Sequence, residues 1–112
     1  MEVHKLFESQ YKQLEIAIDE VAERISKLGS HAIGTPHEFL ERATLKEAPG
    51  LYPARKEMLK ELLYDHETVI RELRKSIDEC SKKYKDAGTA DFLTKLMEDH
   101  ETSAWTLRRY LK

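Results

Sequence analysis

Hydrophobic residues recur every three, four or seven positions through most of the chain, a spacing that places them on one face of an α-helix. Over the first 28 residues this spacing predicts a helix from about residue 2 to Leu28, and Gly29 is a natural stop. The apolar stripe of this helix comprises Val3, Phe7, Leu14, Ile18, Val21, Ile25 and Leu28.

Two more long helices are predicted in the second half of the chain, from about Ala54 to Lys85 and from about Ala90 to Leu111. Gly88 is expected to end the first of these, and Thr89 to cap the second. The short turn between them predicts an antiparallel hairpin. The two apolar stripes are Leu59, Leu62, His66, Val69, Leu73, Ile77, Cys80 and Tyr84, and then Leu93, Leu96, His100, Ala104, Leu107 and Leu111.

The connection between the first two long helices contains the start signal of a short helix, "TPHEFLERA". Thr35 is the predicted N-cap, Pro36 occupies the first helical position, and Glu38 closes a capping box; the helix should end near Ala43. A connection of about 25 residues is long enough for the flanking helices to run parallel. The sequence therefore predicts an all-α fold with three long helices and a short crossover helix.

The composition agrees with a helical protein and indicates its size, its redox compartment and the kinds of partner that its charge disfavours. The 112 residues fit one domain, and Gly (4) and Pro (3) are scarce. The formal net charge is −2, with no basic arm that would grip nucleic acid. The single Cys80 excludes an internal disulfide framework and fits a reducing compartment. With no signal peptide and no apolar run near ~20 residues, a cytoplasmic protein without a membrane span is expected.

The sequence "DHET" occurs twice, at residues 65–68 and 99–102, and the similarity extends into the flanking residues. The copies are 34 residues apart, which is the length of a common helical repeat. Two copies do not make an array, so a solenoid is not predicted.

The histidines of the two DHET copies are candidate metal ligands, because His66 and His100 both fall on an apolar stripe. If the turn is centred near Gly88, they are offset by roughly 15 Å, which no single ion spans. We therefore predict two inward-facing structural histidines, far apart and each satisfied by a hydrogen bond. The acids beside them are expected to be solvated or paired with nearby Arg and Lys residues.

A second set of candidate ligands lies in "IDEVAER", where Asp19 and Glu23 are spaced i and i+4. This spacing places both carboxylates on one side of the helix. Glu15, Tyr11, Glu8 and His4 continue the polar stripe towards the N-terminus. The alternative is that these residues form only the solvated rim of an apolar stripe.

The run "VHKLFESQYKQLEIAIDEVAERISKLG" resembles the second helix of the Dps proteins, the ferritin-like miniferritins of bacteria. "GTPHEFLERATLKEA" is similar to the crossover segment of that family, and "GTADFLTKLMEDHETSAWTLRRYL" to its last helix. The resemblance covers essentially all 112 residues. It implies a ferritin-like helix bundle.

The resemblance also implies an activity and an assembly. Dps proteins oxidise Fe(II), preferentially with hydrogen peroxide, and store ferric iron in a dodecameric cage that protects against oxidative stress. Their metal site lies between two subunits, with histidines from one and an Asp and a Glu from the other. By this resemblance His4, Asp19 and Glu23 are metal ligands for iron (Fe2+/Fe3+), and the same donors also suit zinc.

The spacing of these residues agrees with a site between two chains. His4 and Asp19 are 15 residues apart on one helix, or about 22 Å, so one chain cannot close the site. Two copies of the helix, antiparallel about a two-fold axis through residues 12–13, would bring His4 of one near Asp19 and Glu23 of the other. Such an isologous dimer contains two equivalent sites.

The sequence departs from the family at its start. The other histidine of the family site lies on a helix that precedes the position of His4, and this sequence begins after it. The chain is therefore expected to be a single ferritin-like domain, residues 1–112, truncated at its N-terminus, with Leu14 and Ile18 exposed. Ferroxidase activity then requires a ligand from elsewhere. The alternative is a catalytically inactive helical scaffold or a DNA-protecting assembly protein.

Three further residues receive roles from the resemblance. Asp86 and Asp91 match acids that line the pore through which iron enters on the three-fold axis; for Asp91 the alternative is a favourable charge in the first helical turn. Trp105 is interpreted as a packing residue rather than a radical sink. A homo-oligomer is expected, whereas direct DNA binding has little support, because the chain has no Lys-rich tail.

Overall fold

The computed structural model describes residues 3–29 and 54–112, which form three α-helices. α1 spans Val3–Lys27, α2 spans Arg55–Lys82 and α3 spans Ala87–Tyr110. Neither described range contains a strand, so the predicted all-α class with three long helices is confirmed. The predicted crossover helix at residues 35–43 lies outside the described residues. None of the three helices is long and apolar enough to cross a membrane.

The chain divides into two compact units, residues 1–46 and 47–112, and α1 belongs to the first. Gly29 follows the end of α1 with φ +88°, and its N–H donates to the Ser26 carbonyl at 3.0 Å, as expected of a glycine stop. The buried residues of α1 are Leu6 and Gln10, which lie outside the predicted apolar stripe. The residues of that stripe are half-buried or exposed, with Leu14 36% and Ile18 54% exposed. The expected exposure of these two side chains is confirmed.

The second unit is built on the predicted hairpin, in which α2 and α3 run antiparallel and contact each other along their apolar stripes. Leu107 and Ala104 of α3 have no exposed surface. The buried residues of the hairpin follow helical spacing and are Leu59, His66 and Ile70 of α2 with Ser103, Ala104 and Leu107 of α3. Burial of this stripe is the main stabilising contribution to two helices that would be marginal in isolation.

The turn between α2 and α3 lies at residues 83–86, earlier than predicted. Lys85 adopts the left-handed conformation (φ +56°) without being glycine, and the Asp86 N–H donates to the Cys80 carbonyl at 2.7 Å. The carboxylate of Asp86 then caps α3 by accepting from the Thr89 N–H at 3.0 Å. The predicted roles of Gly88 as stop and Thr89 as cap were wrong, because α2 ends before Gly88 and the Asp86 carboxylate accepts from the free Thr89 N–H in the first turn of α3.

Replacing Asp86 with alanine is expected to lower the free energy of unfolding by about 1 kcal/mol, the typical value of an N-cap side chain. The Asp91→Ala variant is the matched control, because Asp91 is also an acid near the start of α3 but is exposed. Urea denaturation of both variants measures the difference. Equal losses for the two variants would show that the cap is not the cause.

Candidate metal centre

Three predicted metal ligands lie on α1, and the structure places them at two separate positions. Asp19 and Glu23 are one helical turn apart on the same side of the helix. His4 lies 15 residues before Asp19 on the same unbroken helix, or about 22 Å away. All three side chains are exposed. One chain therefore brings the two carboxylates together and does not bring the imidazole to them.

The carboxylates of Asp19 and Glu23 are available to bind a metal ion. Among the described residues, neither Asp19 nor Glu23 takes part in an ion pair or hydrogen bond, whereas Glu8 on the same helix is paired with Lys12 at 3.2 Å. No group of three or more His, Cys, Asp or Glu in the described ranges could hold a metal ion. The pair is thus two oxygen donors of a site that needs further ligands.

The histidines of the repeated DHET sequence are in contact, which corrects the predicted 15 Å offset. Their Nδ1 atoms are 2.9 Å apart, and the ring centroids are 5.1 Å apart with the planes tilted by 53°. The error follows from the turn, which lies about four residues before Gly88. Both histidines face inward and are hydrogen-bonded, as predicted, but they are bonded to each other. His66 is only 4% exposed.

Two ion pairs flank the histidine pair and connect one DHET copy to the other. Glu67 contacts Arg108 at 3.1 Å, and Glu101 contacts Arg74 at 3.4 Å. In each copy the arginine follows the histidine by eight residues, and it pairs with the glutamate of the opposite copy. The repeat therefore forms an arrangement related by an internal pseudo-two-fold axis, which we call the DHET clasp: His66, Glu67 and Arg74 with His100, Glu101 and Arg108.

Burial keeps both histidines of the clasp neutral at pH 7. Burial, together with the charge of His100, lowers the pKa of His66 to about 4. Burial also lowers the pKa of His100, although the neighbouring Asp99 carboxylate opposes this change. Burial raises the pKa of Asp65. In the neutral pair, one Nδ1–H donates to the other Nδ1.

The two proposed pore residues have different local roles. Both carboxylate oxygens of Asp86 are used in the cap, since Oδ1 accepts from the Thr89 N–H and Oδ2 from the Thr89 hydroxyl at 2.6 Å. Asp91 is exposed and is the fifth residue of α3, so its predicted position in the first turn was wrong. Their part in a pore stays a prediction.

Trp105 is not a core residue of this chain. Its side chain is 55% exposed, and the Arg109 guanidinium lies over the indole ring at 4.9 Å from the centroid. This geometry is a cation–π contact between residues one helical turn apart. The interpretation of Trp105 as a packing residue is therefore not supported within the described hairpin.

Known proteins with similar sequences match this chain over nearly its whole length. Residues 1–112 match the ferritin-like domain family called Ferritin. A low temperature-induced protein of Nostoc sp. is 46% identical over 110 residues, which are 98% of this chain and 62% of that protein. DNA protection during starvation protein 2 of Bacillus anthracis is 34% identical over 109 residues, which are 97% of this chain and 73% of that protein.

Solved structures agree with these sequence relatives. The X-ray structure of Dps from Thermosynechococcus elongatus is similar with a TM-score of 0.90 and 32% identity, over 97% of this chain and 68% of that one. The crystal structure of Dps from Staphylococcus aureus is similar with a TM-score of 0.89 and 28% identity, over 97% and 72% of the two chains. The present chain spans 62% of the length of the Nostoc protein.

Proposed function

Because the chain belongs to the Dps family of ferritin-like proteins, we propose that it binds ferrous iron at a site shared by two copies of α1. The observation that supports this most directly is the pair of exposed, unpaired carboxylates of Asp19 and Glu23. They provide oxygen ligands on an open helix face. The imidazole suited to complete the site, His4, is about 22 Å away on the same helix and can reach it only from a second chain.

The proposed dimer follows from this separation. Two α1 helices that run antiparallel about a two-fold axis near residues 12–13 bring His4 of each copy towards Asp19 and Glu23 of the other. The contact is isologous, so one dimer contains two identical sites. The exposed apolar side chains of Leu14 and Ile18 lie close to this axis along the helix and would be covered by the same contact.

The donor set fits the proposed chemistry of iron as a substrate. Imidazole nitrogen contributes affinity for Fe(II), and the two carboxylates favour the harder ferric product. One hydrogen peroxide molecule accepts two electrons, one from each of two ferrous ions, so oxidation removes peroxide and free Fe(II) together. Storage of the ferric iron in an oligomeric cage would then protect the cell against oxidative damage. Zinc suits the same ligands and is expected to compete.

The assembled cage is also where the acids at the start of α3 would act. Asp91 is exposed and can line a pore at a three-fold contact, whereas Asp86 is held in the helix cap. A role in DNA protection, as printed in the name of the Bacillus anthracis relative, would operate through iron and peroxide removal. A net charge of −2 offers little attraction for DNA phosphates.

Neutralising the carboxylates is expected to weaken iron binding by at least about 10- to 100-fold, because loss of a partner that only supports a metal ligand already has an effect of this size. Anaerobic Fe(II) titration of the Asp19→Asn/Glu23→Gln variant, followed by peroxide addition and ferric absorbance, measures binding and oxidation. Glu20→Gln is the control, because it removes an exposed carboxylate from the adjacent position of α1. Equal iron affinity in all three proteins would favour the inactive scaffold.

Mixing variants tests whether two chains share the site. The His4→Gln chain and the Asp19→Asn/Glu23→Gln chain each lack one half of it. Dissociated and reassembled together, half of the random dimers are mixed, and each contains one complete site. About a quarter of the wild-type sites should return. Absence of any recovery, with dimers present by sedimentation, would exclude sharing across this two-fold axis.

A further inference from the structure

The histidine pair of the DHET clasp has no part in the proposed iron site, but the contact between its two rings depends on their protonation. The Nδ1 atoms of His66 and His100 are 2.9 Å apart, which is a hydrogen-bond distance. A hydrogen bond between two such nitrogens needs one hydrogen and one lone pair. The contact is therefore sensitive to the number of protons that the pair holds.

Proton uptake affects the contact in two unequal steps. In the neutral pair one ring donates and the other accepts. The first added proton can be placed on an Nε2, so the bond persists as a charge-assisted one. The second added proton makes both rings cationic, and each Nδ1 then carries a hydrogen directed at the other. At 2.9 Å this arrangement cannot persist, so the rings must separate.

Among the described residues, the charged groups near the pair offset this repulsion only in part, because the Asp99 carboxylate opposes the lowering of the His100 pKa without reversing it. These groups are Asp65, Glu67 and Arg74 on α2 and Asp99, Glu101 and Arg108 on α3. Each glutamate is paired with an arginine of the opposite helix, and Asp99 is paired with Lys95 at 3.4 Å. Asp65 is half-buried, and burial raises the pKa of its carboxyl, which favours the uncharged form of this group.

We propose that His66 and His100 form a proton-operated lock on the α2–α3 hairpin, closed with up to one added proton and opened by the second. The two histidines lie within the buried contact between α2 and α3. Separation of the rings therefore also separates the buried side chains beside them. His66 is 4% exposed, and the neighbouring Ala104 and Leu107 are fully buried. Opening therefore exposes the interior of the hairpin to water.

The electrostatics of the pair place the lock in its closed state at neutral pH. Both imidazoles have a pKa below the usual value, that of His66 at about 4. The two rings titrate as one coupled unit, with separate first and second steps. The hairpin should thus stay closed through the first step and open only in distinctly acid solution.

The experiment compares the wild-type chain with the His66→Gln/His100→Gln variant, in which two neutral amides can still hydrogen-bond across the contact. Hydrogen exchange of α2 and α3 amides is followed from pH 7 to 4 and corrected for intrinsic rates. We expect protection in wild type to fall at least about tenfold in step with the second protonation, and to change less than about twofold in the variant. Nitrogen NMR of the imidazoles assigns each protonation step.

Two results would overturn the lock. One is independent titration of the two imidazoles near the ordinary histidine pKa. The other is loss of protection that follows the first proton, or that is the same in wild type and variant. If the double variant fails to fold, the wild-type NMR titration and exchange curves still decide, because opening must coincide with the second protonation step.

Discussion

Replacing Leu107 with alanine is expected to lower the free energy of unfolding by about 3 kcal/mol. The side chain has no exposed surface and lies in the buried stripe of α3. With His66 opposite His100, the antiparallel arrangement places Leu59, seven residues earlier, opposite Leu107, seven residues later. Leu59 is 4% exposed, so truncation of Leu107 removes an apolar contact and leaves a cavity between two well-buried positions.

Urea denaturation of Leu107→Ala against wild type measures this loss, and Leu14→Ala is the control. Leu14 is the same residue type in a helix but is 36% exposed, so it should cost less than about 1 kcal/mol. Similar losses for the two leucines would mean that the hairpin interior is less well ordered than its burial indicates. The midpoint and the denaturant slope together separate a change in stability from a change in compactness.

Lowering the pH from 7 to 4 is expected to destabilise wild type by about 2 kcal/mol more than the His66→Gln/His100→Gln variant. The pKa of His66 falls to about 4 on folding from an ordinary value of 6.5. Between these values the unfolded chain binds more protons than the folded one. Stability is therefore fully present above pH 6.5 and is lost progressively as the pH falls towards 4.

Urea denaturation at pH 7, 6, 5 and 4 gives the free energy of unfolding for both proteins. The His4→Gln variant controls for the removal of a histidine, since His4 is exposed on α1. Its pH dependence should follow that of wild type. If the double variant loses as much stability as wild type across this range, titration of other groups, such as the carboxylates, accounts for the acid sensitivity.

Helical periodicity predicted most of the hairpin but not its turn. The stripe that contains Ala104 and Leu107 was read correctly from spacing alone, because burial of one helix face imposes that spacing. Gly29 was also recognised as a stop, and it does adopt positive φ. The α2–α3 turn instead uses Lys85 in a left-handed conformation and a carboxylate cap from Asp86. Lys85 is not a usual residue for a left-handed position, whereas Asp86 is an ordinary N-cap residue for which Thr89 was predicted instead.

That misplaced turn explains the error at the DHET repeat. A shift of four residues at the turn changes the relative position of two antiparallel residues by about eight, or about 12 Å. His66 and His100 were thereby assigned to different levels of the hairpin, although they are in contact. The pairing of Asp19 with Glu23 depended only on local helical geometry and was predictable. His4 lies about 22 Å from them on the same helix, so its part in the proposed site requires a second chain and could not follow from local geometry.

The DHET clasp has a consequence for the alignment of the two helices. Volume-conserving exchanges of apolar partners usually cost less than about 1.5 kcal/mol, so apolar packing alone specifies the alignment of two helices only weakly. A slip of α3 along α2 by one turn, about 5.4 Å, would break the His66–His100 bond and both Glu–Arg pairs at once. Only one alignment satisfies all three contacts. The repeated sequence thus specifies a single register for two helices whose apolar contacts alone would allow others.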